Sequence, residues 1–291
     1  MEKKNFKKSI VNQFNSDLRV NEMLYSYGLL KKEVATNSLE FDPYEKLREN
    51  TIFKNINTAK KNKVLDIGCG FGNLVATLVD KKQNAYGLDL SETLVQNGKE
   101  LFKKKGIDEN RIFTADFLKY KPKIKYNLTI ANGVIWYYKN RFSFLKKINQ
   151  ITASKGETLI VHRNDLFNVL CFNNGTIDFL NRNDFFLNNN ETYDLLKKEI
   201  PELDQSIIKH SSSALKKYFD NPLTIHELYA KAGFEILKIQ YLYIHPAPPR
   251  LKKNNTPADF KKAHLKYVDH WQGMFMGSQF LVHARKIKDI R

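Results

Sequence analysis

Val64-Leu65-Asp66-Ile67-Gly68-Cys69-Gly70-Phe71-Gly72-Asn73-Leu74 puts a buried apolar run, an acidic residue and three alternating glycines into one short segment. The pattern reads as a strand that passes through a glycine turn into a helix. At the carboxyl edge of a parallel sheet, such a turn lets backbone approach a bound ligand closely. Further on, Asp89 closes a second apolar run in Gly87-Leu88-Asp89-Leu90-Ser91. A carboxylate there can accept both hydroxyl protons of a ribose, which points to an adenosine compound. A nicotinamide dinucleotide would call for G-x-G-x-x-G with a helix aimed at its pyrophosphate. Here the spacing is G-x-G-x-G, position 73 is Asn, and Asp66 would repel a pyrophosphate. The same carboxylate would attract the ammonium of a methionine moiety.

Other reactive residues stand where later strands end. His162 leaves the fifth strand with Arg163, Asn164 and Asp165 behind it, and His245 ends a long strand just before Pro246. An imidazole titrating near neutrality at a sheet's carboxyl edge suits a general base, and a guanidinium can grip phosphate or carboxylate bidentately. His162 and His245 are therefore the candidate catalytic residues, with Arg163 as a substrate residue. The alternative for each histidine is a plain backbone hydrogen bond at a strand end. Tyr137 is a further substrate candidate, as part of an aromatic wall.

The elements that must hold these residues follow from periodicity. Strands are expected at 64–67, 85–88, 111–115, 128–131, 158–161, 234–244 and 274–284. Helices are expected over 74–79, from Ser91 to near Gly106, through Phe144, Leu145, Ile148 and Ile151, and from Thr224, whose hydroxyl and Glu227 form a capping box, to Gly233. Such alternation implies a parallel sheet covered on both faces. The first sixty residues read as a helical cap (1–59), followed by one domain over 60–291. Two breaks in the rhythm, 164–222 and 246–273, exceed ordinary connections and read as lid insertions. The first carries the asparagine-rich stretch 181–190 and a helix around 193–200.

Asp66-Ile67-Gly68-Cys69-Gly70-Phe71-Gly72, with Asp89 and Ala115-Asp116-Phe117, resembles the class I S-adenosylmethionine-dependent methyltransferases. The resemblance covers 63–163 and resumes over 224–286. It implies an α/β fold with a Rossmann-like seven-stranded, mostly parallel sheet and an antiparallel last strand. It implies S-adenosyl-L-methionine as cofactor and S-adenosyl-L-homocysteine as product. By the same resemblance Asp66, Gly68, Cys69 and Gly70 line the methionine half, and Asp89 with Leu90 takes the ribose. Asp116 would bond the adenine amino group with Phe117 against the ring, and Asn132 with Gly133 would lie beneath the sulfonium. After the fourth strand, family members that methylate nucleobase amines carry Asn/Asp-Pro-Pro-Tyr/Phe. This chain has Asn132-Gly133-Val134-Ile135-Trp136-Tyr137-Tyr138, without either proline, which argues against that chemistry. In the cap, Tyr25, Tyr44 and Arg48 either close over the cofactor's carboxylate or lie on solvated helix faces.

Composition narrows the partners. The chain has 291 residues with 48 basic and 31 acidic side chains, a net charge of +17. That excess invites an anionic partner. The lysines, however, lie in scattered pairs such as Lys81-Lys82 and Lys252-Lys253 rather than in one basic arm, so a nucleic-acid track is not expected. The expected substrate is a small phosphorylated or nucleotide-linked metabolite, collected by the basic surface and enclosed by the lids. The segment 271–278 is similar to bacterial methyltransferases of surface-polysaccharide clusters, which suggests O-methylation of a capsule precursor, a sugar or a phosphoramidate. The alternatives are an RNA-modifying methyltransferase and a protein that binds the cofactor without transfer. Cys69 and Cys171 are too sparse for a disulfide framework or zinc site, and no metal is expected. Lacking an apolar span or leader, the chain is expected to be cytoplasmic, with no membrane partner.

Overall fold

A computed structural model describes residues 43–60, 62–185, 191, 217–249 and 255–290. Helix α1 (Pro43–Lys54) precedes strand β1 (Lys63–Ile67), helix α2 (Asn73–Asp80), strand β2 (Asn84–Asp89) and helix α3 (Glu92–Lys104). Strands β3 (Ile112–Thr114) and β4 (Tyr126–Ala131), helix α4 (Arg141–Ile151) and strand β5 (Thr152–Arg163) continue the alternation. Then come helices α5 (Asn174–Arg182) and α6 (Ile225–Lys231), strand β6 (Phe234–Ile244), helices α7 (Pro257–Tyr267) and α8 (Gly273–Met276), and strand β7 (Gly277–Lys286). The cap before position 43, residues 186–190 of the asparagine-rich stretch and the helix expected at 193–200 lie outside the described residues.

The sheet order is β3-β2-β1-β4-β5-β7-β6. Strands β1 to β5 pair in parallel, and β7 runs antiparallel between β5 and β6. The expected mostly parallel seven-stranded sheet with an antiparallel last strand is what the chain forms. Alternate side chains of the central strands feed two cores. Leu65, Ile67 and Ile160 pack on one face with Phe144, Ile148 and Tyr229, while Val64, Ile130 and Val161 pack on the other with Ile52 and Val75. Burial on both faces explains why β1 and β4 read as continuous apolar runs.

Several boundaries differ from expectation for local reasons. Strand β5 starts at Thr152, immediately after α4, because Thr152 Oγ1 donates to the Ile148 carbonyl at 2.7 Å and Lys286 Nζ donates to the Thr152 carbonyl at 2.9 Å. Thr224 makes no side-chain cap, since its backbone is already helical. The second insertion contains α7, whose start is marked by Thr256, Pro257 and Asp259 in a complete capping box. The last strand begins at Gly277 rather than 274 because residues 273–276 form one short helical turn.

The glycine turn after β1 is tied to β2: the Gly68 and Cys69 amides both donate to the Leu88 carbonyl, at 2.8 and 3.0 Å. Gly68 has φ +75°, and a Cβ there would lie 2.2 Å from Val134 Cγ2 in the loop after β4. Gly72 has φ +80° at the start of α2, against Phe102 and Ile112. Gly68→Ala is expected to destabilise by roughly 2–4 kcal/mol, part backbone strain and part overlap. Adding Val134→Ala should return the overlap part only; urea unfolding of both variants measures this, and a neutral Gly68→Ala would refute it.

Candidate active site

Asp66 and Asp89 stand at the ends of neighbouring strands, beside the point where the sheet order reverses between β1 and β4. A crevice forms at such a point, outside the strand ends. Asp89 Oδ2 accepts the Gly70 amide at 2.9 Å and Oδ1 accepts the Ser91 amide at 2.8 Å. Burial nevertheless raises its pKa against those hydrogen bonds. The Leu90 amide also bonds this carboxylate, and the lone-pair capacity that remains can accept hydroxyl donors. Asp66 is 3% exposed, and its Oδ1 has no partner. Burial first, then the charges of Asp89 and Glu49, pushes its pKa up to about 8. Glu49 is itself raised by burial and by neighbouring Glu45. Cys69 is a neutral thiol, raised well above its ordinary value by burial, Asp89 and Asp66.

The other walls come from the loops after β3 and β4. The Ala115 amide donates to the Asp89 carbonyl at 2.8 Å, setting Asp116 beside strand β2. Asp116 Oδ1 accepts the Leu118 amide at 3.1 Å. Phe117 is buried with its ring 4.9 Å from that of Phe144. Asn132 Oδ1 is buried without a partner, and Gly133 has φ +92° under the Trp136 ring. Burial first, then the charges of Asp116 and Asp89, raises the Tyr138 hydroxyl, so this member of the aromatic run lies on the same side of the crevice. Glu49 was missed because its approach to Asp66 depends on how α1 packs, and no local pattern encodes that.

The structure separates the two histidines. His162 is fully buried; Nδ1 is 2.9 Å from Asp220 Oδ2, Nε2 is 2.8 Å from the Tyr229 hydroxyl, and the ring stacks on Phe280. With both nitrogens bound inside the core it cannot meet an acceptor, which corrects its expected role as a base. Burial would raise Asp220, but His162 and then Arg141 outweigh it and hold the carboxyl low. Arg141 Nε donates to Asp220 Oδ1 at 2.8 Å. His245 lies on the same sheet edge at the end of the outermost strand, between Phe167 at 4.8 Å and Phe260 at 6.1 Å, while its amide donates to the Met276 carbonyl.

Arg163, the next residue, faces the opposite side of the sheet. Its guanidinium carbon lies 5.2 Å from the Phe219 ring centre and 6.0 Å from that of Trp136. Tyr137 is buried beside it. Arg48, in contrast, is held by Glu45 and by Gln279 Oε1 and lies over Tyr243, in a network internal to the fold. Among the described residues no group of three or more histidine, cysteine or acidic side chains could hold a metal, and no helix is long and apolar enough to cross a membrane. Replacing His162 by Ala is expected to cost about 3 kcal/mol, since it empties a packed site and orphans Asp220 and Tyr229. A loss below 1 kcal/mol in chemical denaturation, with turnover abolished, would return His162 to a catalytic role.

Comparison with known proteins agrees with this fold. A family described as Methyltransferase domain matches residues 58–221, more than half of the chain. A probable (S)-tetrahydroprotoberberine N-methyltransferase 2 of Papaver bracteatum is 31% identical over 34% of this chain and 28% of its own length. A malonyl-[acyl-carrier protein] O-methyltransferase of Acetivibrio thermocellus is 22% identical over 44% and 47%. The chain thus spans less than half the length of these curated relatives. The magnesium protoporphyrin IX methyltransferase of Synechocystis PCC 6803, solved with bound S-adenosylhomocysteine, has a TM-score of 0.57 at 14% identity, covering 96% of this chain and 99% of that one. A phosphoethanolamine N-methyltransferase 2 of Haemonchus contortus, solved with S-adenosylmethionine, has a TM-score of 0.58 at 14% identity, covering 97% and 60%. These structural likenesses carry the fold, while the matched span takes in β1, its glycine turn and Asp89. On that ground the chain belongs to the class I S-adenosylmethionine-dependent methyltransferase family.

Proposed function

We propose that this chain transfers the methyl group of S-adenosyl-L-methionine to a small anionic acceptor and releases S-adenosyl-L-homocysteine. The observation that carries this reading is the buried, unpartnered Asp66 Oδ1 in a crevice shared with Asp89 and Glu49. Such a site favours a cation over a pyrophosphate. Asp66 would hold the amino group, Asp89 the ribose hydroxyls, Asp116 the adenine amine, and Asn132 with Gly133 would sit under the sulfonium. Leu90, Cys69, Gly68 and Gly70 would line the same ligand, with Phe117 supporting the adenine side.

The bound sulfonium supplies an already activated methyl group, so the protein's work is alignment and, for a hydroxyl acceptor, proton removal. With His162 enclosed, His245 is the remaining candidate base. Tyr137 and the loop after β4 would wall the acceptor. The insertions at 164–222 and 246–273 would act as lids over a cytoplasmic enzyme. In support, the Tyr218 amide donates to the Trp136 carbonyl at 2.8 Å, joining the first insertion to that wall. The finer reading, O-methylation of a phosphorylated or nucleotide-linked surface-polysaccharide precursor, rests on the 271–278 likeness and the excess of basic residues.

Calorimetry with S-adenosyl-L-homocysteine tests the cofactor site. An ammonium favours the ionised carboxylate, so binding shifts Asp66 below its free pKa and releases a proton. Affinity should therefore rise about tenfold or more between pH 6 and pH 8. Asp66→Asn should bind about tenfold more weakly at pH 8 and lose most of that rise. A pH-independent wild type would sink the assignment of Asp66.

Methyl transfer from labelled cofactor, screened over nucleotide-linked sugars, simple phosphates and RNA, tests the acceptor. His245→Ala is expected to lower kcat about 100-fold with product affinity kept. Unchanged turnover would remove His245 from the chemistry. Methyl incorporation into RNA with steep salt dependence would replace the small acceptor by a polymer.

A further inference from the structure

Buried cations normally have an anionic partner, because an unpaired charge inside a protein costs several hydrogen bonds' worth of free energy. Arg163, half-buried with its Nε enclosed, has no such partner among the described residues. Its Nε is buried without a hydrogen-bond partner, and no carboxylate pairs with its guanidinium among the described residues. The two nearest acids in the chain's path are already taken. Asp165 is bound by Arg182 at 2.9 Å, and Asp220 by Arg141 and His162. The groups that act on Arg163 electrostatically are Tyr137 and Cys171. Burial pushes the Cys171 thiol up to about 12, so it stays neutral. A guanidinium remains charged under these conditions. What neighbours it are aromatic faces, Trp136 and Phe219, which stabilise a cation without satisfying its N–H donors.

Position gives this cation a use. Val161 and Arg163 point to the same face as Ile130 and Asp66, so Asp66 and Arg163 flank β4 at the carboxyl edge. Two strand spacings, about 10 Å, separate their strands. Trp136 links the two ends: its ring edge lies 3.3 Å from where a Gly133 Cβ would be, and the Arg163 guanidinium carbon lies 6.0 Å from the ring centre. The Trp136 indole N–H is likewise buried without a partner. Both unmatched donors therefore belong to the group built around the ring that covers Gly133, the glycine under the proposed methyl donor.

We infer that Arg163, held between Trp136 and Phe219, is the receptor for an acidic oxyanion of the methyl acceptor, a phosphate or carboxylate. This rests on the methyltransferase reading and deepens it. The planar fork of the guanidinium fixes such an oxyanion by paired hydrogen bonds, so it selects acceptors by that group and sets their distance from the donor. No covalent step is involved.

The chain has two tryptophans, and Trp271 is 64% exposed. In a Trp271→Phe background, the emission of Trp136 reports on the site. Full-length protein, with and without saturating S-adenosyl-L-homocysteine, is titrated with sodium pyrophosphate and with malonate at constant ionic strength in chloride-free buffer. Saturable emission changes are expected, and the tighter ligand assigns phosphate or carboxylate. Arg163→Gln should weaken that binding at least tenfold and Arg163→Lys about fivefold, since lysine keeps the charge but not the fork, and both should bind S-adenosyl-L-homocysteine within twofold of the parent. Should Arg163→Gln fail to fold, Arg163→Lys decides alone. Undiminished anion binding in the foldable variants, no saturable response to either anion, or a tenfold loss of S-adenosyl-L-homocysteine affinity would overturn the inference. Failure of the parent to bind S-adenosyl-L-homocysteine would instead remove the cofactor reading, while the titration without it still tests Arg163.

Discussion

Everything near the crevice is organised by three desolvated carboxylates of like charge, on Asp66, Asp89 and Glu49. Ionising Asp66 without a cation beside it costs on the order of 6 kcal/mol relative to water, as its pKa of about 8 implies. A fold tolerates such a cost where a guest returns it. Asp89 is treated differently: the backbone amides of Gly70, Leu90 and Ser91 hold it in one orientation, while Asp66 Oδ1 is left open. One carboxylate is thus pre-oriented for hydroxyl donors and the other is poised for a cation. A pyrophosphate would meet repulsion from both, and a neutral ligand would leave Asp66 protonated.

The backbone around that cluster is stiff because its two loops are in contact. Gly68 and Val134 belong to the turns after β1 and β4, and they approach so closely that a methyl group does not fit between them. The same β4 loop carries Asn132, Gly133 and Trp136. Any displacement of the glycine turn is therefore felt by the wall on the acceptor side, and the site is held as one unit by the sheet's central strands.

How much of this could be read from the chain alone depends on the range of the interactions. The β1 glycine turn, Asp89 and the loops after β3 and β4 were legible because strand, turn and acid lie within short stretches whose chemistry is local. The mostly parallel sheet followed from alternation and its antiparallel last strand from the family resemblance, whereas the strand order had no local signal. His162 was misread because its partners, Asp220 and Tyr229, lie 58 and 67 residues onward, across the first insertion. Glu49 escaped notice for a similar reason, since α1 reaches β1 only through tertiary packing. The helix α7 was missed despite a complete capping box at Thr256, because 246–273 was read only as an insertion.

The contrast between His162 and Arg163 shows how a strand end divides labour. Successive residues point to opposite faces. His162 falls on the face with Tyr229 and Phe280, where Asp220 and the ring stack lock it, and with it the return segment of the insertion, onto β5. The Asp220 amide also donates to the Arg163 carbonyl at 2.9 Å, so the lock fixes Arg163 backbone directly. Phe219, next to Asp220, is thereby carried onto the opposite face and against the guanidinium. The buried histidine is thus a positioning residue for its neighbour: its hydrogen bonds assemble half of the aromatic clamp, and the charge that the clamp holds is left to a ligand.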